Sequence, residues 1–309
     1  MHKRYLDCNA SELAAIGKAD LLDAIRASEG RLIVSETIGT VQPMLMTITN
    51  AELAASQGAD LILLNVFDAN NPVVNGLPAG TPPDQAIAEL KRLTGRVIGV
   101  NLEPVEPGYR GDHEEEVWRM VPGRLATPEN AARLAEMGAG FILLTGNPGN
   151  GISNREITHS LRAIHQAVGD RLVLIAGKMH AAGILSEAAE NIITRDDINE
   201  FAANGADIIL LPAPGTVPGI STEYVRELVT HAHSLGVMTL TAIGTSQEGA
   251  DTETIRQIAL MSKMTGTDLH HLGDAGYIGV ALPENIFTYG LAIRGRRHTY
   301  ARMARSVRR

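Results

Sequence analysis

Cysteine is nearly absent: Cys8 is the only one in 309 residues. No disulfide can form within the chain, and a reducing compartment is expected. Cys8 lies before the first helical stretch, far from any strand end, which argues against a nucleophile. Aromatic residues are scarce at 4%, so the apolar 44% is mostly Ala, Val, Ile and Leu. That composition suits a buried parallel sheet covered by helices. Long apolar runs are also missing. None exceeds about eight residues, against the roughly 20 a membrane-spanning helix needs. The polar stretch Met1–Asn9 lacks the apolar core of a leader peptide. A cytoplasmic protein with no membrane contact is expected. Positive charge is in deficit, with 27 Lys and Arg against 35 Asp and Glu for a net −8, which argues against a nucleic-acid partner. One basic run, Arg294 to Arg309, reads as a solvated helix face or a subunit contact in a homo-oligomer.

What the chain does contain is a repeat of pattern. A helical stretch ends in Gly, and a short β-branched or Leu-rich run follows. The runs are Leu32–Glu36, Leu61–Val66, Val97–Leu102, Phe141–Thr145, Leu172–Ala176, Ile208–Pro212, Met238–Ile243 and Asp268–Leu272. The glycines ahead of them are Gly30, Gly58, Gly95, Gly138, Gly169, Gly205, Gly236 and Gly266. Gly just past a helix end closes it in the left-handed conformation without a Cβ penalty. Thr127 before Pro128 is a good N-cap, and Thr194 followed by Asp197 resembles a capping box. Eight helix–strand alternations predict an α/β fold, a closed (β/α)8 barrel. A doubly wound sheet is disfavoured because Thr37-Ile-Gly-Thr-Val-Gln after the first strand lacks the dinucleotide glycine fingerprint. With no linker in sight, residues 1–309 read as one domain, with a helical extension at 1–30 and a C-terminal helix at 282–309. Residues 10–29 are placed to plug the bottom of the barrel.

Chemistry in such a barrel sits at the C-terminal strand ends. Glu36, Asn65, Asn101, Glu103, Asn147, Lys178 and His180 fall there, with His270 and His271 in the last strand. Glu36, Glu103 and Lys178 directly follow buried runs, where an unpaired charge is costly, so they read as catalytic together with His180. Glu36 and Glu103, helped by Asn65 and Asn101, could hold Mg²⁺, although no cofactor is required by the pattern. Lys178 could anchor an anion or form a Schiff base with a carbonyl. His270 and His271 are adjacent in a strand, so at most one faces the axis. Gly244-Thr245-Ser246 and Gly273-Asp274-Ala-Gly276 read as a phosphate cradle on the last two loops, with Asp274 opposed in charge to such a ligand. The long 104–122 stretch, with acids at 112–116 and the lone Trp118, is placed to act as a lid.

Leu6-Asp-Cys-Asn-Ala-Ser, Ala27-Ser-Glu-Gly-Arg, Asn50-Ala-Glu-Leu-Ala, Gly58-Ala-Asp-Leu-Ile-Leu-Leu-Asn, Asn101-Leu-Glu-Pro-Val and Gly273-Asp-Ala-Gly together resemble bacterial barrel proteins of the phosphoenolpyruvate phosphonomutase-like family. The resemblance implies a barrel, Mg²⁺ dependence and small α-oxo acids as substrates. The Lys-Cys-Gly-His lid motif of true phosphonomutases is absent here. The resulting expectation is a lyase or isomerase that binds a small-molecule anion, either a phosphorylated metabolite or an α-oxo carboxylate. The alternatives are a non-catalytic metabolite sensor and a Schiff-base aldolase using Lys178.

Overall fold

The computed structural model describes residues 3–106, 108, 119–146, 151–181 and 183–309, with the backbone alone at 187 and 277. Eight parallel strands close into a barrel in chain order: β1 (Leu32–Ile38), β2 (Leu61–Asn65), β3 (Val97–Leu102), β4 (Phe141–Leu144), β5 (Val173–Gly177), β6 (Ile208–Pro212), β7 (Met238–Ile243) and β8 (Leu269–Leu272), with β8 pairing back onto β1. Each predicted run became a strand. Only β1 runs notably further than expected, because Ile38 donates its N–H to Gly279 and Thr37 bridges Val280.

Period-two alternation sorts the strand residues between two cores. Leu32, Val34, Leu61, Leu63, Val97, Phe141, Leu143, Ile175, Leu210 and Leu240 fill the barrel interior. Their neighbours in sequence, among them Ile33, Ile62, Ile98, Ile142 and Ile209, face the surrounding helices. These helices are α3 (Asn50–Ser56), α4 (Ala86–Thr94), α5 (Pro128–Glu136), α6 (Asn154–Val168), α7 (Arg195–Ala203), α8 (Thr222–Ser234), α9 (Thr252–Thr265) and α10 (Pro283–Ala304). Thr127 caps α5 and Thr194 makes a full capping box at α7, as their sequences predict. Ahead of the barrel, α1 (Ala10–Ala14) and α2 (Lys18–Ala27) supply Leu13, Leu21 and Ile25 to the interior core, so residues 10–29 do close one end. They form two helices rather than one, since Gly17 becomes the N-cap of the second. Cys8 is buried in that same plug.

Three expectations need correction. Seven of the eight stop glycines take positive φ, but Gly169 is right-handed at φ −63°. Two further residues turn the chain before β5, with Arg171 and Leu172 both donating to Val168 O, so no left-handed reversal is needed. Gly169 is required instead by its approach to His165, whose backbone and ring a Cβ would overlap. The basic C-terminal run is not simply a solvated face. Arg294 is 7% and Arg302 0% exposed, and both reach Asp60 at the start of β2. Arg302 also lies over the Tyr5 ring, 5.4 Å from its centroid. The 282–309 helix is moreover broken at Gly295, where φ is 71° and ψ 175°. Among the described residues, no helix is long and apolar enough to cross a membrane.

Candidate active site

A cavity of about 460 Å³ opens at the C-terminal ends of the strands. Its lining includes Glu36 from β1, Asn65 from β2, Asn101 and Glu103 from β3, and Thr145 just past β4. His180 enters from beyond β5, and Gly244, Ser246, Gly273, Asp274 and Gly276 enter from beyond β7 and β8. Alternation explains the set: Val34 and Leu63 are interior, so Glu36 and Asn65, each two residues on, must also face the axis.

Glu36 and Asp274 form a carboxyl pair joined by a side-chain hydrogen bond. Burial pushes Glu36 up to about 8, with the charges of Glu248 and Glu103 adding to the rise and the Asp274 hydrogen bond opposing it. Burial likewise raises Asp274 to about 7, with Glu36 next in effect. His271 Nε2 lies 2.8 Å from Glu36 Oε2. The approach is not aligned as a hydrogen bond, and neither ring nitrogen has such a partner among the described residues. Burial lowers His271 to about 4, so the ring is neutral and the contact joins two neutral groups rather than an ion pair. His270 turns the other way, to Tyr289 Oη at 3.0 Å and Gly30 O at 3.1 Å. Only one of the two histidines therefore faces the axis.

Asn65 is held tightly. Its Nδ2 donates to Asp274 Oδ2 at 2.9 Å, and its Oδ1 accepts from Val66 N at 2.9 Å and Asn101 Nδ2 at 3.2 Å. Val66, β-branched, sits at φ +57°, a strained conformation at the mouth of the site.

The phosphate-cradle glycines do line the cavity, but the donors of the Gly273–Gly276 loop are mostly engaged. Gly273 N donates to Ile243 O at 2.9 Å, Ala275 N to Glu248 Oε1 at 2.8 Å and Gly276 N to Asp274 Oδ1 at 2.8 Å. Thr245 is not among the lining residues; its hydroxyl is within reach of Thr216 O at 3.0 Å and of the Gln247 side chain. The glycines instead allow close packing: a Cβ on Gly244 would overlap Met179, and one on Gly273 would press on Glu248.

Glu103 makes a buried ion pair with Arg124, which also lines the cavity. Among the described residues, no group of three or more His, Cys, Asp or Glu is placed to hold a metal ion. With Glu103 engaged by Arg124 and Glu36 bonded to Asp274, those two glutamates do not fit the Mg²⁺ centre that the family resemblance implies. Lys178 is 1% exposed and does not line the cavity. His180 does, and burial, then the charge of Lys178, lowers its pKa. Asn147 and most of the 104–122 stretch, its acids and Trp118 included, lie outside the described residues.

Sequence reading missed Glu248 and Arg124. Glu248 lies in a short turn beyond β7, whose backbone carbonyls at 248 and 250 both accept from Asn285 Nδ2 at 2.8 Å. Arg124 closes a short turn at Pro122–Arg124, well past the end of β3. Neither directly follows an apolar run, so nothing local marks them.

Comparison with solved structures agrees with the fold. The carboxyl transferase domain of Rhizobium etli pyruvate carboxylase superposes with a TM-score of 0.55 at 13% identity, over 96% of this chain and 52% of that one. The chain thus spans about half the length of that relative. An archaeal fructose 1,6-bisphosphate aldolase superposes at 0.54 with 14% identity, over 87% of this chain and 96% of that one. Identities this low speak for the barrel alone. No curated protein matches the chain in sequence. The family model described as a domain of unknown function (DUF7916) matches residues 6–309, and the chain belongs to that family.

Proposed function

We propose that this barrel is an enzyme, a lyase or isomerase, that moves a proton on a carbon beside the carbonyl or carboxylate group of a small metabolite, α-oxo acids included. The observation that carries the reading is the buried Glu36–Asp274 pair facing the cavity. Two carboxyls with pKa values near 8 and 7 come to share a single proton between those pH values. One member can then accept a proton while the other donates, which is what general acid–base catalysis needs near the working pH. Asn65 positions Asp274 through its 2.9 Å hydrogen bond. A phosphate ester is the weaker substrate choice, since three N–H groups of the Gly273–Gly276 loop are already bonded and Asp274 opposes an anion in charge.

The test uses exchange rather than a guessed overall reaction. A panel of α-oxo acids and amino acids is incubated with the protein in deuterated water, and NMR follows loss of the proton on the carbon beside the carbonyl, C3 of an oxo acid or Cα of an amino acid. Exchange on one panel member, slowed about 10²-fold or more in Glu36→Gln and Asp274→Asn, is expected of acid–base groups. Exchange that persists unchanged in both variants rules the assignment out.

A further inference from the structure

Two acceptors in the cavity wall are left over, in addition to the Thr145 hydroxyl, which also has no hydrogen-bond partner among the described residues. Glu248 is 2% exposed; its Oε1 is taken by Ala275 N, and its Oε2 has no hydrogen-bond partner among the described residues. Asn101 is 6% exposed, and its Oδ1 is likewise without a partner among them. The orientation of that amide is not arbitrary. Val66 N requires an oxygen from Asn65, so Asn65 turns its nitrogen to Asp274, and Asn101 must in turn offer its nitrogen to Asn65. Asn101 Oδ1 is what remains. Glu36, Asp274 and Glu248 all stand within electrostatic reach of one another.

We propose that the molecule bound here carries a primary ammonium group, set against Glu248 and Asp274 and hydrogen-bonded to the free acceptors of Glu248 and Asn101. The inference rests on the proton-transfer reading and narrows its substrate to amino-bearing carbonyl or carboxylate metabolites. An ammonium supplies three donors to these acceptors and a positive charge that would favour the ionised form of the neighbouring carboxyls. A hydroxyl supplies one donor and no charge, and a phosphate brings negative charge. The positive side chain that lines the cavity, Arg124, is already paired with Glu103.

The experiment compares four probes by thermal shift at matched ionic strength and neutral pH: ethanolamine, ethylene glycol, inorganic phosphate and Mg²⁺ alone. Ethanolamine should raise the melting temperature, and the other three should not. Glu248→Gln keeps the oxygen that Ala275 N needs but replaces the free acceptor with a donor, so it should weaken the ethanolamine response about tenfold or more. Asn101→Ala, a second variant on a different strand, should weaken it too. The proposal is overturned if phosphate, Mg²⁺ or the glycol stabilises as well as ethanolamine does, if no probe responds, or if both variants respond like the parent. Exchange in deuterated water with a ligand that lacks an amino group would overturn this inference and leave the role of Glu36 and Asp274 standing. Loss of that role would show in the exchange assay whatever the probe preference.

Discussion

His271 Nε2 and Glu36 Oε2 stand 2.8 Å apart on the neighbouring strands β8 and β1, and burial drives both side chains toward their neutral forms. Stability should record this. Glu36 and Asp274 keep protons in the folded chain up to about 8 and 7, against ordinary values of 4.5 and 3.8. The folded state therefore binds more protons across that window, and their effect is to lower stability as pH rises through it. His270 and His271, held down to about 4 against an ordinary 6.5, act oppositely: the unfolded state binds more protons between those values, so their effect is to raise stability as pH climbs. The two effects oppose each other below 6.5, and above it the carboxyls act without the histidines. The melting temperature should fall from about pH 6.5 to 8, and Glu36→Gln should flatten the fall. A parent curve that rises over that range would mean the carboxyls are ionised in the folded chain.

Asp60 is the partner of both Arg294 and Arg302, all three essentially dry. Arg96, lowered to about 9 by burial and then by Arg302, lies beside them and donates to Ala59 O. Asp60→Asn leaves this positive cluster without its carboxylate. It should cost about 3–5 kcal/mol by chemical denaturation, the usual loss for half of a buried pair. A loss within about 0.5 kcal/mol, as at an ordinary surface site, would mean that the C-terminal arginines are solvated after all.

Gly99 on β3 is an interior position where a strand gives up its side chain, and the Phe141 ring fills the space. Gly99→Ala should destabilise by about 1–3 kcal/mol through overpacking. Adding Phe141→Leu, which frees that space, should recover part of the loss if the cause is steric. Simple additivity of the two changes would argue otherwise.

Lys178, fully buried and outside the cavity lining, should not be trapped by borohydride in the presence of pyruvate or another α-oxo acid. Mass spectrometry of the treated protein checks this. A reduced adduct on Lys178 would restore the Schiff-base reading.

The strands were legible because parallel strands buried on both faces leave unbroken apolar runs, and a glycine stop preceded each one. The ring of polar groups was legible for the same reason: Glu36, Asn65, Asn101 and Asp274 sit where apolar runs stop. What these groups do to one another was not. The Gly273–Gly276 loop reads as a cradle until Glu248, arriving from β7, takes the N–H of Ala275. Glu103 reads as a metal ligand until Arg124, 21 residues on, pairs with it. The basic run reads as solvated until Asp60, 234 residues before Arg294, receives it. Each is a contact between chain-distant residues, and periodicity carries only what is near in sequence.

The most direct test of the account is the protonation of Glu36. Infrared difference titration of the parent against Glu36→Gln isolates the carbonyl band of its protonated carboxyl. The account predicts that this band persists through neutral pH and fades only near pH 8. A band already gone near pH 4.5, the ordinary glutamate value, would contradict it.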